Sequence, residues 1–103
     1  SFRESFDKCR CVLPASGFYE WDKDHRLYIL TGENKLIYLA ALYDLKTRGF
    51  SILTRESYGE LSSIHQRSPI ILNGKESADY ITGKMPYEYL REKKAIQYMK
   101  PAE

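Results

Sequence analysis

Leu36-Ile37-Tyr38-Leu39-Ala40-Ala41-Leu42-Tyr43 is a run of eight residues without a charge. It is far too short to cross a bilayer, which takes about 18 or more apolar residues. Its apolar side chains do not alternate with polar ones, so the run reads as a strand covered on both faces. Such a strand needs neighbours on both edges as well. Everything around it is shorter and more polar, which makes it the centre of the fold.

Outward from this centre the pattern is mostly strands first and helices late. Strands are expected over Arg10–Leu13, Phe18–Trp21, Leu27–Leu30 and Phe50–Leu53. Turns fall at Ala15-Ser16-Gly17, Thr31–Lys35 and Gly49. Thr54 is placed to cap a helix over about Arg55–Ser63, where Tyr58, Leu61 and Ile64 recur three apart. Ser68–Leu72 reads as a short strand ended by Asn73-Gly74. A short helix follows over Lys75–Thr82, stopped by Gly83. Pro86 opens a last helix, Tyr87 to about Lys93. Ala95–Met99 fits either more helix or a strand. This order points to one α+β domain with a mixed or antiparallel sheet.

Composition narrows the function classes. With 43% hydrophobic and 29% charged residues, the chain is an ordinary globular sequence. The net charge of +2 neither demands nor excludes nucleic acid, since a local basic patch can hide in a balanced total. Cys9 and Cys11 are one residue apart and would point to opposite faces of a strand, which disfavours a disulfide between them. Two cysteines and two histidines without a Cys-x-x-Cys pair argue against structural zinc, and no metal or cofactor is expected. A reducing, cytoplasmic setting is the expectation, with no membrane partner.

Two stretches carry chemistry. In Arg10-Cys11-Val12-Leu13-Pro14-Ala15-Ser16-Gly17-Phe18-Tyr19-Glu20-Trp21, a carboxylate sits among three aromatic residues. Desolvation there would make Glu20 a candidate general acid or base. The alternative is a solvent-facing or ion-paired Glu20 on an edge strand. Trp21 can stack on a base or simply fill core. In Leu61-Ser62-Ser63-Ile64-His65-Gln66-Arg67-Ser68-Pro69, the proline forces Ser68 into extended backbone. His65 and Arg67 therefore lie at a helix-to-strand junction, a common place for functional side chains. His65 could equally be a helix C-terminal histidine favoured by the dipole. Arg67 offers a planar fork for phosphate, or an ordinary surface ion pair.

Together the two stretches resemble the SRAP family (SOS-response-associated peptidases). Its arginine-cysteine, proline, glycine-phenylalanine-tyrosine-glutamate-tryptophan block is matched by Arg10, Cys11, Pro14, Gly17, Phe18, Tyr19, Glu20 and Trp21. Its strand-ending threonine and later His-x-Arg-Met-Pro are matched by Thr54, His65, Arg67 and Pro69, with Ser68 where the methionine usually stands. The motif resemblance is clear to about Leu72 and fades over 73–103.

The resemblance implies an SRAP-like sheet-rich fold and a DNA-damage role in the SOS response. The implied partner is single-stranded DNA with abasic sites, which would make the protein nucleoid-associated. It implies covalent capture through a thiazolidine made by an N-terminal cysteine, and a peptidase activity of the same site that removes the initiator Met. That would be a cysteine-peptidase-like hydrolase, with lyase chemistry as a further option. Glu20 and His65 would be catalytic; Trp21 and Arg67 would bind DNA. No residue here matches the family's nucleophile or its Asn-Ala-Arg block. The expectation is thus a C-terminal portion whose N-terminal strands come from a missing segment or companion chain, or whose open edges are covered by self-association. A non-catalytic nucleic-acid-binding remnant and an interaction domain of the same ancestry are the alternatives. Residues 1–103 alone are expected to form no crosslink with abasic single-stranded DNA. A heat-stable shifted band on a denaturing gel, lost on Cys11→Ala, would show the nucleophile to be in this chain.

Overall fold

The computed structural model describes residues 2–102. The central strand, β4 (Ile37–Asp44), is the longest, and β1 (Arg10–Ala15) pairs antiparallel along one edge of it, with Cys11 opposite Ala41 and Leu13 opposite Leu39. Its other edge is shared by β5 (Gly49–Ile52) and β8 (Ile71–Leu72). A second antiparallel sheet has the order β2-β3-β9, from Phe18–Trp21, Leu27–Gly32 and Gln97–Pro101. A two-stranded ribbon joins β6 (Thr54–Glu56) to β7 (Arg67–Pro69). The helices are α1 (Phe2–Lys8), α2 (Gly74–Ile81) and α3 (Tyr87–Leu90). This is the α+β, sheet-rich class expected, and of the mixed and antiparallel sheets left open it is the antiparallel one. No helix among the described residues is long and apolar enough to cross a membrane.

The uninterrupted apolarity of β4 has a direct structural cause. Successive strand residues point to opposite faces, and both faces are covered. Ala40 and Leu42 face a core built with Phe6, Leu53, Ile70, Leu72, Tyr80, Met85 and Leu90. Ile37 and Leu39 face a second core with Ile71, Leu13, Ala15 and Phe18. The strand finds neighbours on both edges within these residues. The open edges are those of β1 and β5, which each pair on one side only among the described residues.

Arg10 ties the first core together. Its Nε donates to the Phe6 carbonyl (2.7 Å), and one terminal nitrogen donates to the carbonyls of Tyr80 and Met85 (3.0 Å each). The guanidinium also lies 4.0 Å over the Phe6 ring. The C-terminal end of α1, the C-terminal turn of α2 and the segment after it are thus held by one side chain. The Tyr80 hydroxyl donates to Ala41 (2.7 Å), and burial pushes this phenol far above its ordinary range.

Three local expectations are corrected. The helix expected over Arg55–Ser63 is instead β6 followed by a single 3₁₀ turn, Gly59–Ser63. A three-residue spacing is the 3₁₀ period itself, and Gly59 adopts a left-handed φ of 64° that interrupts any helix from 55 onward. Thr54 is accordingly a strand residue and no helix cap. The strand expected over Ser68–Leu72 is split at Ile70, whose N–H binds the Leu53 carbonyl while its own carbonyl accepts from Ala40. The chain there crosses from the ribbon to the main sheet. The last helix stops at Leu90, Pro86 preceding it in extended backbone, and the undecided tail is strand β9.

Gly17 marks a close approach of layers. A Cβ there would lie 2.5 Å from the Leu30 carbonyl oxygen on the neighbouring strand. Gly17→Ala must push β3 away, at a cost of about 1–3 kcal/mol. We expect a lower denaturation midpoint at unchanged m-value. A midpoint equal to wild type would show that the contact yields freely.

Candidate functional site

Strand β2 presents Phe18 and Glu20 on one face and Tyr19 and Trp21 on the other. Phe18 packs into the second core. Glu20 follows it on the same face with its side chain 23% exposed. Its Oε1 accepts from the Trp21 backbone N–H (3.2 Å) and lies 3.9 Å from His65 Nε2. The carboxylate is therefore neither a free edge residue nor deeply buried. It is held at the margin of the core, facing an imidazole from a distant part of the chain.

His65 ends the 3₁₀ turn, its N–H bound to the Leu61 carbonyl at 2.9 Å. Its Nδ1 lies 2.9 Å from the Arg67 carbonyl and 3.2 Å from the Arg67 N–H. One nitrogen cannot serve both at once. When Nδ1 accepts from the Arg67 N–H, the ring proton is on Nε2 and faces Glu20. When the ring is protonated on both nitrogens, Nδ1 donates to the carbonyl and Nε2 still presents a proton to Glu20. Those two states aim a donor at the carboxylate; a neutral ring with its proton on Nδ1 donates to the Arg67 carbonyl and leaves Nε2 without one.

The Arg67 guanidinium is exposed and clasped by Thr54. One terminal nitrogen donates to the Thr54 carbonyl (2.9 Å) and hydroxyl (3.2 Å), and Nε approaches the same hydroxyl (3.4 Å). The other terminal nitrogen makes no hydrogen bond among the described residues, and the side chain is exposed. Arg67 also borders a groove of about 870 Å³ lined by Cys9, Tyr43, Ile52 and Thr54 among others. Glu20, His65, Arg67 and Thr54 form one connected set. Trp21 does not join it: it is 52% exposed on the opposite face of β2, beside Tyr19.

Two residues were misread or missed from sequence. Arg10, in the same motif block as Glu20, is a structural clamp and not part of this set. Arg55 is only 8% exposed, stacks 4.5 Å over Tyr58, and donates to the carbonyls of Glu56 and Lys93. Its alternation with Thr54 in a strand would have signalled burial, but the strand itself was read as helix. Among the described residues, no group of three or more His, Cys, Asp or Glu side chains could hold a metal ion.

Burial raises the pKa of the half-buried Cys11 thiol. The thiolate is the reactive form, so Cys11 is kept as an unreactive thiol at neutral pH. Iodoacetamide labelling followed by mass spectrometry should modify it more slowly than an unstructured peptide thiol. The rate should still be climbing above pH 8.5, about the ordinary cysteine pKa. A rate that levels off below that pH would mean an activated cysteine.

The whole of this arrangement, from α1 to β9, falls within one family. The family model described as SOS response associated peptidase (SRAP) matches residues 1–102, running on through the tail where the motifs themselves fade. The abasic site processing protein YMR114C of Saccharomyces cerevisiae is 32% identical over 82 residues, covering 71% of this chain and 22% of its own length. The chain thus spans roughly a fifth of that relative. A crystal structure of a protein from Bacteroides thetaiotaomicron superposes with a TM-score of 0.77 at 21% identity, over 98% of this chain and 52% of the other, and shows the same fold. The chain belongs to the SRAP family.

Proposed function

We propose that this chain supplies the acid–base and phosphate-binding part of an SRAP site that captures abasic sites in single-stranded DNA. The observation that carries the reading is the approach of Glu20 to His65, 3.9 Å across two separate strand systems, beside the exposed Arg67. Catalytic hydrogen bonds are often long without substrate, and two groups at this distance can both reach a sugar oxygen that approaches them from one side. The yeast relative's name, an abasic site processing protein, supports the choice of substrate.

The chemistry assigns each group a task. The abasic sugar must open from hemiacetal to aldehyde, which moves a proton off the C1′ hydroxyl and onto the ring oxygen. Glu20 takes the first proton, and His65, with Nε2 protonated, delivers the second. An N-terminal cysteine, brought by polypeptide beyond these residues, then condenses its α-amine with the aldehyde and releases water. Its S–H adds across the C=N bond to close a thiazolidine. Arg67 holds a flanking phosphate with the donors that Thr54 leaves free. Trp21 lies outside this set; on its own exposed face, beside Tyr19, it can offer a stacking surface for a base. Tyr43 and Phe50, paired across β4 and β5, form with Ile52 an exposed apolar surface next to the groove. The remaining polypeptide, or a second copy, would cover it.

The reading is tested in the full-length protein with an abasic oligonucleotide. Glu20→Gln should slow crosslinking by about 10²–10⁴-fold, the usual contribution of general acid–base assistance. His65→Ala should slow both formation and reversal. Rates within twofold of wild type for both variants would remove the pair from the mechanism.

A further inference from the structure

On the far side of Arg67 from the apolar surface lies a second basin, of about 550 Å³. Four cations border it, Arg55, Arg67, Arg91 and Lys94, against two carboxylates, Glu56 and Glu92; Tyr87 completes the wall. None of the four cations is in an ion pair with a carboxylate among the described residues. Arg55 is fixed by backbone carbonyls, and Arg67 by Thr54. Arg91 and Lys94 are exposed; the Arg91 side chain makes no hydrogen bond or ion pair among the described residues, and the Lys94 ammonium lies 5.9 Å over the Tyr58 ring.

An unneutralised cluster of this kind is unusual for a chain with nearly balanced charge, because cations normally find carboxylates nearby when sixteen basic and fourteen acidic residues are available. The basin is continuous with the candidate site through Arg67, which borders both it and the larger groove. We propose that Arg91 and Lys94 bind the phosphates of the nucleotides that follow the one held at Arg67, so that the single strand runs from the Glu20–His65 pair into this basin. This rests on the DNA reading above. A strand carries one charge per nucleotide, and four cations around one basin suit a polyanion better than a single small anion. Arg55, nearly buried and held by carbonyls, supplies a fixed positive wall. Glu56 and Glu92 keep the net field modest, which gives a weak, salt-sensitive contact suited to a strand that must slide before it is captured.

The experiment is a salt titration of binding by fluorescence anisotropy, full-length protein against intact single-stranded DNA, which offers no aldehyde to capture, between about 50 and 200 mM salt. Each phosphate contact on a single strand contributes a slope of about −0.7. The double variant Arg91→Ala/Lys94→Ala should be shallower than wild type by about 1.4, so that it loses about sevenfold less affinity over that range. The charge-preserving Arg91→Lys/Lys94→Arg should keep the wild-type slope. A double alanine variant with the wild-type slope, while Arg67→Ala is shallower, overturns the basin and leaves the DNA reading standing. A conservative variant that behaves like the alanine pair also overturns it, because charge would not be the cause. Wild-type protein that ignores salt, or Arg67→Ala without effect, removes the DNA reading and the basin together.

Discussion

The burial of β4 on both faces is the constraint from which the rest follows. Once Ala40 and Leu42 look one way and Ile37 and Leu39 the other, each face must be covered by a separate layer. The helices and Arg10 close the first face. The β2-β3-β9 sheet closes the second, through Phe18. Glu20, two residues further along the same face of β2, is thereby carried to the margin of that core. The other edge of the main sheet feeds into β6 and returns through β7 to β8, which brings the 65–67 turn back to the same region. The meeting of Glu20 with His65 is thus a product of layer packing and not of any local motif.

Buried cations solvated by carbonyls do the fastening. Leaving an ion unpaired in a dry interior costs several kcal/mol, so each must find oxygen atoms. Arg10 takes carbonyls from three segments. Arg55 reaches the carbonyls of Glu56 and Lys93. Lys93 bonds the Ile71 carbonyl (2.8 Å) and pairs with Glu76 (3.3 Å), the same glutamate that completes the capping box with Asn73 at the start of α2. The tail after Leu72 is held to the sheet by these groups and by Tyr58, whose hydroxyl accepts from the Ala95 N–H. Arg67 is the contrast: it has the same fork and the same kind of carbonyl partner, but it stands at the surface with donors to spare.

Much of this was readable before any coordinates. The double covering of the 36–43 run, the α+β sheet-rich class, the Phe18/Glu20 face and the junction at His65 follow from periodicity and from Pro69. The ribbon 54–56 did not, because a three-residue apolar spacing fits an α-helix and a 3₁₀ turn alike, and only the left-handed Gly59 separates them. Helix α1 hides among charges; its signal is the pair Phe2 and Phe6, four apart, whose rings stack at 5.9 Å. The role of Arg10 was illegible in principle. A motif shows that residues go together but not which of them touch a ligand, and Arg10 shares its block with Glu20 while serving helix ends on the other side of the sheet.

The imidazole of His65 owes its orientation to the backbone of its own turn. Its Nδ1 is fixed by the peptide groups of Arg67, and that peptide is in turn fixed by pairing in β7, where Arg67 stands opposite Glu56. Among the described residues no carboxylate holds Nδ1, the more usual arrangement for a histidine; Glu20 faces Nε2 instead. The imidazole is therefore oriented by its own turn, while the carboxylate that faces Nε2 is positioned by a different sheet. A change that loosens the ribbon, at Thr54 or Ser68, moves His65 and Arg67 together, whereas a change in β2 moves the carboxylate alone. The two halves of the site are separately built, and their separation of 3.9 Å is set by how closely the two layers pack over Ile37, Leu39 and Phe18.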